Sequence, residues 1–284
     1  DWKQIEPTPE RRIKGKFDEL SKIRKYRESV PDWMDELCAK SLGEALWTKE
    51  IHALNEQAEV ILRVNTLKTT KDNLSSVLHE GGVETESIKG YPDALRLKER
   101  SNVFVTEAFK NGWFEVQDAS SQLVAPFLDV KPGQRVVDTC AGAGGKTLHL
   151  AALMENKGQL IALDIYGKKL YDTADRVLID APCTGLGVLK RNPDAKWKLQ
   201  PDFLEKIMVT QQQILQDYSR IVKPGGKLVY ATCSILPQEN IQQVKKFLGS
   251  EAGKDFSLIK DSNIYACKTG FDGFYMALLE KKST

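Results

Sequence analysis

Apolar positions in residues 1–58 recur at helical spacing. Ile13, Phe17, Leu20 and Ile23 share one side of a segment whose other side carries Arg11, Arg12, Lys14, Lys16, Lys22, Arg24, Lys25 and Arg27. The spacing predicts an amphipathic helix that packs its apolar side and turns its basic side outward, as a solvated face or a phosphate-contacting arm. Pro31 breaks it, and Met34, Leu37 and Cys38 make the stripe of a second helix. Gly43 interrupts before Ala45, Leu46, Ile51 and Leu54 continue, with Trp33 and Trp47 read as core anchors.

From Val60 the period falls to two. VILRVNTLK predicts a strand, Lys71 to His79 a helix stopped by Gly81-Gly82, and strand pieces follow at Val83 to Ile88 and Ala94 to Leu97. Residues 59–112 are thus expected to form a small α+β subdomain. Arg63 and Lys68, flanking Asn65, fit a polar edge or an RNA contact equally well.

Residues 113–284 alternate. FEVQDASSQLVAPFL ends a strand at Val116 and starts a helix capped by Asp118 or Ser120. Strands are expected at Arg135 to Asp138, Leu160 to Asp164, Arg176 to Asp180 and Lys227 to Thr232, with helices from Pro201 to Val222 and from Asn240 to Leu248. Apolar strands alternating with helices predict an α/β fold whose parallel sheet is covered on both faces. The step from Asp164 to Arg176 leaves room for one cramped crossover at best. Either a helix, a strand and a second helix are lost, or a segment is skipped near 171–175. Skipping is expected, since a lost strand would leave a hole in a buried sheet; an intact mass matching 31.9 kDa would sink that expectation.

Composition narrows the classes. A net charge of +2 permits nucleic-acid binding without demanding it. No apolar run approaches the ~20 residues of a membrane span, and DWKQIEPTPERRIKGK has no apolar signal core, so a cytoplasmic protein is expected. Cys38, Cys140, Cys183, Cys233 and Cys267 form no CxxC and do not group with His52, His79 and His149, which argues against a disulfide framework or a metal site.

Chemistry gathers at strand ends, outside which open α/β sheets bind ligands. RVVDTCAGAGGKT reads as strand, glycine turn and helix, and the turn of Cys140, Ala141, Gly142, Ala143, Gly144, Gly145 and Lys146 would present free N–H groups to a ligand. Asp164 ends the next strand at the distance of a ribose-binding carboxylate. DAPC delivers Asp180 and Cys183, and TCS delivers Cys233 and Ser234. Each has a plainer reading: Asp164 as a helix cap, the cysteines as buried hydrophobes. Lys190, Arg191, Lys196 and Lys198, with Trp197 interleaved, follow DAPCTGLGVL as a phosphate-and-stacking track or as a solvated loop.

DTCAGAGGKT, DAPCTGLG and ATCS resemble motifs of the Sun/Nop family of S-adenosylmethionine-dependent RNA (cytosine-5) methyltransferases, and RVNTLK, FEVQDASSQL and DGFYMALLEKK are similar to further motifs of that family. The resemblance runs from about Pro31 to Lys282. It implies a Rossmann-like class I methyltransferase sheet with helices on both faces, plus an N-terminal helical and α+β RNA-binding region. It also implies methyl transfer from S-adenosylmethionine to C5 of cytosine in RNA, ribosomal RNA first and transfer RNA second, through a cysteine adduct at C6. By resemblance Cys233 is the nucleophile, Asp180 holds the N3/N4 edge, Cys183 assists release, and Lys146 touches the base or pairs structurally. The loop from Cys140 to Lys146, with Asp164 and Asp180, would hold the methyl donor. The family usually has proline at Ala143, its adenine-side aspartate has no match here, and the antiterminator-like domain of some members has no counterpart. Two other readings compete: methylation of an exocyclic amino group, which needs no cysteine, and a non-catalytic RNA-binding role in ribosome assembly.

Overall fold

The computed structural model describes residues 10–163 and 170–283. Four helices open the chain: α1 (Glu10–Leu20), α2 (Arg24–Arg27), α3 (Asp32–Leu42) and α4 (Glu44–Asn55). Asp32 and Asp35 suit the positive end of α3, and Gly43, at φ +84°, turns the chain into α4. Met34, Cys38, Trp47, Ile51 and Leu54 pack against Leu186, Leu189, Leu204, Ile207, Ile235 and Leu236. The amino-terminal helices therefore lie beneath the segments that follow DAPC and TCS. Expected packing along α1 is not found. None of its residues is buried, and Ile13 and Phe17 are 56% and 70% exposed.

A four-stranded antiparallel sheet follows, built from β1 (Ile61–Val64), β2 (Thr85–Ser87), β3 (Ala94–Leu97) and β4 (Phe114–Val116) in the order β2-β3-β1-β4. Helices α5 (Lys71–Glu80) and α6 (Glu107–Lys110) accompany it. Strand β1 is shorter than VILRVNTLK suggests, because the Asn65 side chain accepts the Leu67 N–H and turns the chain. All four β1 residues are buried. Leu62 and Val64 meet α5 through Leu74 and Leu78, whereas Ile61 meets Ala119 and Phe271 of the larger body. One face of this small sheet is thus docked beside the candidate site.

The larger body carries α7 (Ala119–Gln122), α8 (Val124–Phe127), β5 (Arg135–Asp138), α9 (Gly145–Leu153), β6 (Gln159–Ala162), β7 (Ala174–Asp180) and α10 (Ala195–Lys198). It continues with α11 (Pro201–Ser219), β8 (Val222–Thr232), α12 (Ile241–Leu248), β9 (Phe256–Ile264), α13 (Ala266–Thr269) and β10 (Phe274–Lys281). Its strands order as β6-β5-β7-β8-β10-β9. Val137, Val177, Ile179, Leu228 and Tyr230 face α11 and α12 through Leu215, Tyr218, Val244 and Phe247. Val136, Leu178, Val229 and Ala231 face α8 and α9 through Val124 and Leu150. The strand period of two therefore feeds a core on each side, giving the Rossmann-like α/β fold.

Two expectations change. The sheet is mixed, because β10 runs antiparallel to both β8 and β9. Only residues 265–273 join β9 to β10, too few for a parallel crossover. Strand β6 is a sheet edge, paired with β5 alone among the described residues. A strand absent beyond it would leave no hole in the buried interior.

Candidate active site

The first strand end is a cradle. Buried Val136 and Val137 deliver Asp138, 1% exposed, whose Oδ2 accepts the Thr147 hydroxyl at 2.7 Å. Burial pushes the Asp138 carboxyl above the usual carboxylate range, against that hydrogen bond and one from the Cys140 backbone N–H. The loop closes through the Gly144 N–H, which donates to the Ala141 carbonyl at 2.8 Å. Gly142 and Gly144 take φ of +49° and +85°, and a Cβ built on either would meet nothing within 4 Å. Space therefore lies open over the turn of Cys140, Ala141, Gly142, Ala143, Gly144, Gly145 and Lys146 at the start of nine-residue α9. Asp164 lies outside the described residues.

The small sheet props this cradle. Arg63, 3% exposed, donates from Nη1 to the Gly145 carbonyl at 2.5 Å and to Gln117 Oε1 at 2.6 Å. Burial lowers its guanidinium to about 10. Lys68 and Asn65 donate to the Asn111 and Gly112 carbonyls. Arg63 and Asn65 of RVNTLK thus serve as internal scaffolding, while Lys68 stays exposed.

Strands β7 and β8 are parallel neighbours, so their carboxyl ends lie side by side. That adjacency brings Cys183 and Cys233 together with Sγ atoms 3.3 Å apart. Contact with Cys233, and then burial, pushes the Cys183 thiol well above its ordinary value. Beside them Lys146 Nζ donates to Asp180 Oδ2 at 2.6 Å and sits 5.5 Å over the Phe274 ring. Lys146 therefore pairs with Asp180. Ser234 gives its hydroxyl to the Glu239 carboxylate.

Close backbone approach holds the rim. The Gly187 N–H donates to the Cys233 carbonyl at 2.9 Å, and the Gly273 N–H donates to the Gly187 carbonyl at 2.7 Å. A Cβ on Gly187 would lie 2.1 Å from Gly273 O and 2.8 Å from Cys233 O. Glycine is obligatory there for want of space. From α4, buried Glu50 accepts the Ala266 and Cys267 N–H groups at 2.8 and 2.9 Å, capping α13.

The basic run after DAPC turns inward. Arg191 bridges Asp118 at 2.9 Å and Asp272 at 2.6 Å, both carboxylates being buried. Lys190 donates to the Gly270 carbonyl, and Lys196 to Asn55 Oδ1 and the Glu28 carbonyl. Lys198 and Trp197 of that run stay well exposed, and Arg191 is partly so. Sequence reasoning missed Glu239, Asn240, Glu50, Gly187 and Gly273. Glu239 stands six residues beyond Cys233, in PQEN, with no local signal to mark it as buried.

Comparison with known proteins identifies the family. The family described as 16S rRNA methyltransferase RsmB/F matches residues 125–174 and 166–280, and the ferredoxin-like domain of RsmF/B-like methyltransferases matches residues 30–104. Ribosomal RNA small subunit methyltransferase B of Vibrio cholerae is 34% identical over 291 residues, covering 90% of this chain and 66% of the relative. Its Klebsiella pneumoniae counterpart is 33% identical over 287 residues, covering 89% and 66%. The chain spans 56–66% of the length of curated relatives such as these. Among solved structures, PH0851 superposes with a TM-score of 0.86 at 30% identity, over 98% of this chain and 70% of that one. NSun6 from Pyrococcus horikoshii superposes at 0.80 and 20% identity, over 90% and 100%, and speaks for the fold alone. The Vibrio alignment is longer than the 284 residues here, so that relative carries residues without a counterpart, and the family match divides at residues 166–174. With more than half of its length in that match, the chain belongs to the 16S rRNA methyltransferase RsmB/F family.

Proposed function

We propose that this protein methylates C5 of cytosine in RNA, ribosomal RNA first, using S-adenosylmethionine and a covalent adduct between Cys233 and C6. The observation that carries the reading is the pair of thiols in contact at the ends of adjacent strands. Amino-group methylation has no need of either. The open glycine turn fits the donor: its φ-positive glycines leave the room a Cβ would fill. Cys140 to Lys146 would hold the donor, with Asp164 and Asp180. Bound there, the donor supplies an electrophilic methyl group.

C5 of cytosine is a poor nucleophile until C6 is saturated. Two thiols 3.3 Å apart do not both ionise readily, and the family resemblance of ATCS gives the attacking thiolate to Cys233. Its sulfur bonds to C6 and the C5–C6 π pair moves toward N3, leaving an enamine nucleophilic at C5. The Lys146–Asp180 pair meets the pyrimidine edge, Asp180 accepting from the N4 amino group and the lysine proton serving N3. Once C5 carries the methyl group and is tetrahedral, Cys183 as thiolate can take the C5 proton, whose bonding pair reforms C5=C6 and expels the Cys233 thiolate.

Labelled methyl incorporation into RNA tests the scheme. Cys233→Ala should abolish turnover while donor binding persists, and Cys183→Ala should accumulate a protein–RNA adduct. Turnover by folded Cys233→Ala would exclude the covalent route and favour amino-group methylation. Absence of incorporation by the wild-type protein would favour a binding role. Bisulfite sequencing of RNA from cells with and without the gene would then locate the cytosine.

A further inference from the structure

Glu239 is fully buried at 0% exposure, and among the described residues its carboxylate meets neutral donors alone. Oε1 accepts the Thr184 backbone N–H at 2.8 Å and the Gln211 side-chain amide at 3.1 Å. Oε2 accepts the Thr184 hydroxyl at 2.6 Å and the Ser234 hydroxyl. Thr184 directly follows Cys183, and Ser234 directly follows Cys233. A single rigid carboxylate thus grips the residue next to each sulfur. Its own carbonyl accepts the Tyr230 hydroxyl at 2.7 Å, anchoring the grip to β8. Asn240 completes it by donating to the Ser234 carbonyl at 2.9 Å and accepting the Thr232 hydroxyl at 2.6 Å, which brackets Cys233 on both sides.

A buried carboxylate without a cation is costly to keep, and a plain structural tie between two loops would not require one. Four charge-assisted acceptor contacts do, because each is stronger and more directional than its neutral counterpart. We propose that Glu239 is a positioning residue for both cysteines. By clamping Thr184 and Ser234 it sets the spacing of the two sulfurs, and with it the handover from attack by Cys233 to release by Cys183. This deepens the cytosine-5 reading and rests on it for the catalytic half of the claim. The spacing half stands without it.

Glu239→Gln tests the spacing directly, since the amide keeps one accepting oxygen of the two and so gives up two of the four accepted contacts. Sulfur spacing is read without RNA by treating folded protein with diamide. Both thiols are oxidised to one disulfide, while the N=N bond takes up two electrons and two protons to become a hydrazine. Wild-type protein should form the Cys183–Cys233 bond rapidly, and Glu239→Gln about tenfold more slowly, the factor expected from losing about 1.4 kcal/mol of orientation. Trapped protein–RNA adduct should rise in the same variant, because release suffers more than attack. Thr184→Val and Ser234→Ala each cut one arm of the clamp and serve if Glu239→Gln does not fold; each should slow crosslinking by a smaller factor. Wild-type crosslinking rates and adduct levels in the folded variants would overturn the proposal. Slow crosslinking in Glu239→Gln, together with methylation surviving in Cys233→Ala, would uphold the clamp and sink the cytosine-5 reading instead.

Discussion

Two stretches of this chain look alike on paper: the basic run from Arg11 to Arg27 and the one from Lys190 to Lys198. In the fold they part company. Helix α1 displays its charges, with Lys14 and Lys16 held only by exposed partners one turn away, Glu10 and Glu19. Most cations of the second run bond inward, with Arg191 bridging two buried aspartates, Lys190 held by the Gly270 carbonyl and Lys196 5% exposed. What separates them is the neighbourhood each meets after folding. Asp118 and Asp272 lie 73 and 81 residues from Arg191, so no local pattern announces them. Dense positive charge thus marks an RNA surface only after its internal acceptors have been counted.

Arg191→Ala should test that contrast hardest. It leaves two buried carboxylates without their cation, a loss of about 3–5 kcal/mol by analogy with broken buried pairs. The loss should depend on pH. Burial and Asp118 hold the Asp272 carboxyl up at about 6, above its ordinary 3.8. A group raised in this way favours the folded state below its ordinary value and loses that contribution as pH rises through 6. Without Arg191 it rises further, so urea unfolding should show a larger deficit at pH 8 than at pH 5. An equal deficit at both would mean that Asp272 is not the strained partner.

Lys196→Met should cost about 1–3 kcal/mol by stranding Asn55 Oδ1, while the Glu28 carbonyl keeps the Asn55 amide at 2.9 Å. RNA affinity of the folded variant should stay at the wild-type value, and a selective drop in affinity would return Lys196 to the RNA track. Replacing Arg11 and Arg12 by Gln should reverse the pattern. Stability should hold within about 0.5 kcal/mol, while the salt dependence of RNA binding falls by about 0.7 for each single-strand phosphate that the variant no longer neutralises. An unchanged slope would make α1 a solvated face. Lys198→Ala, whose partner Asp194 is itself exposed, should move stability by less than about 0.5 kcal/mol.

Strand ends were legible because their signals are local. Asp138 and the glycines, Asp180 with Cys183, and Thr232 with Cys233 each sit where an apolar run stops, and parallel pairing does the rest. The β9–β10 hairpin was not legible: β9 reads as FSLIKDSNI, and three successive exposed residues, Ile259 to Asp261, break its alternation. Glu239 escaped for the opposite reason. A carboxylate in PQEN looks like any surface acid, and only the meeting of two distant loops reveals that it is buried.

Glu50 carries one more lesson, about modularity. The side chain reaches from α4 to cap a helix two hundred residues away, and its Oε1 lies 3.5 Å from where a Cβ on Gly273 would stand. An exchange of amino-terminal helices between relatives would thus break a contact at the catalytic end of the fold. Swaps that respect the apparent boundary at residue 58 should fail unless residues 266–273 travel with them. For an engineer, the first helices and the segment joining the last two strands are therefore one exchangeable unit.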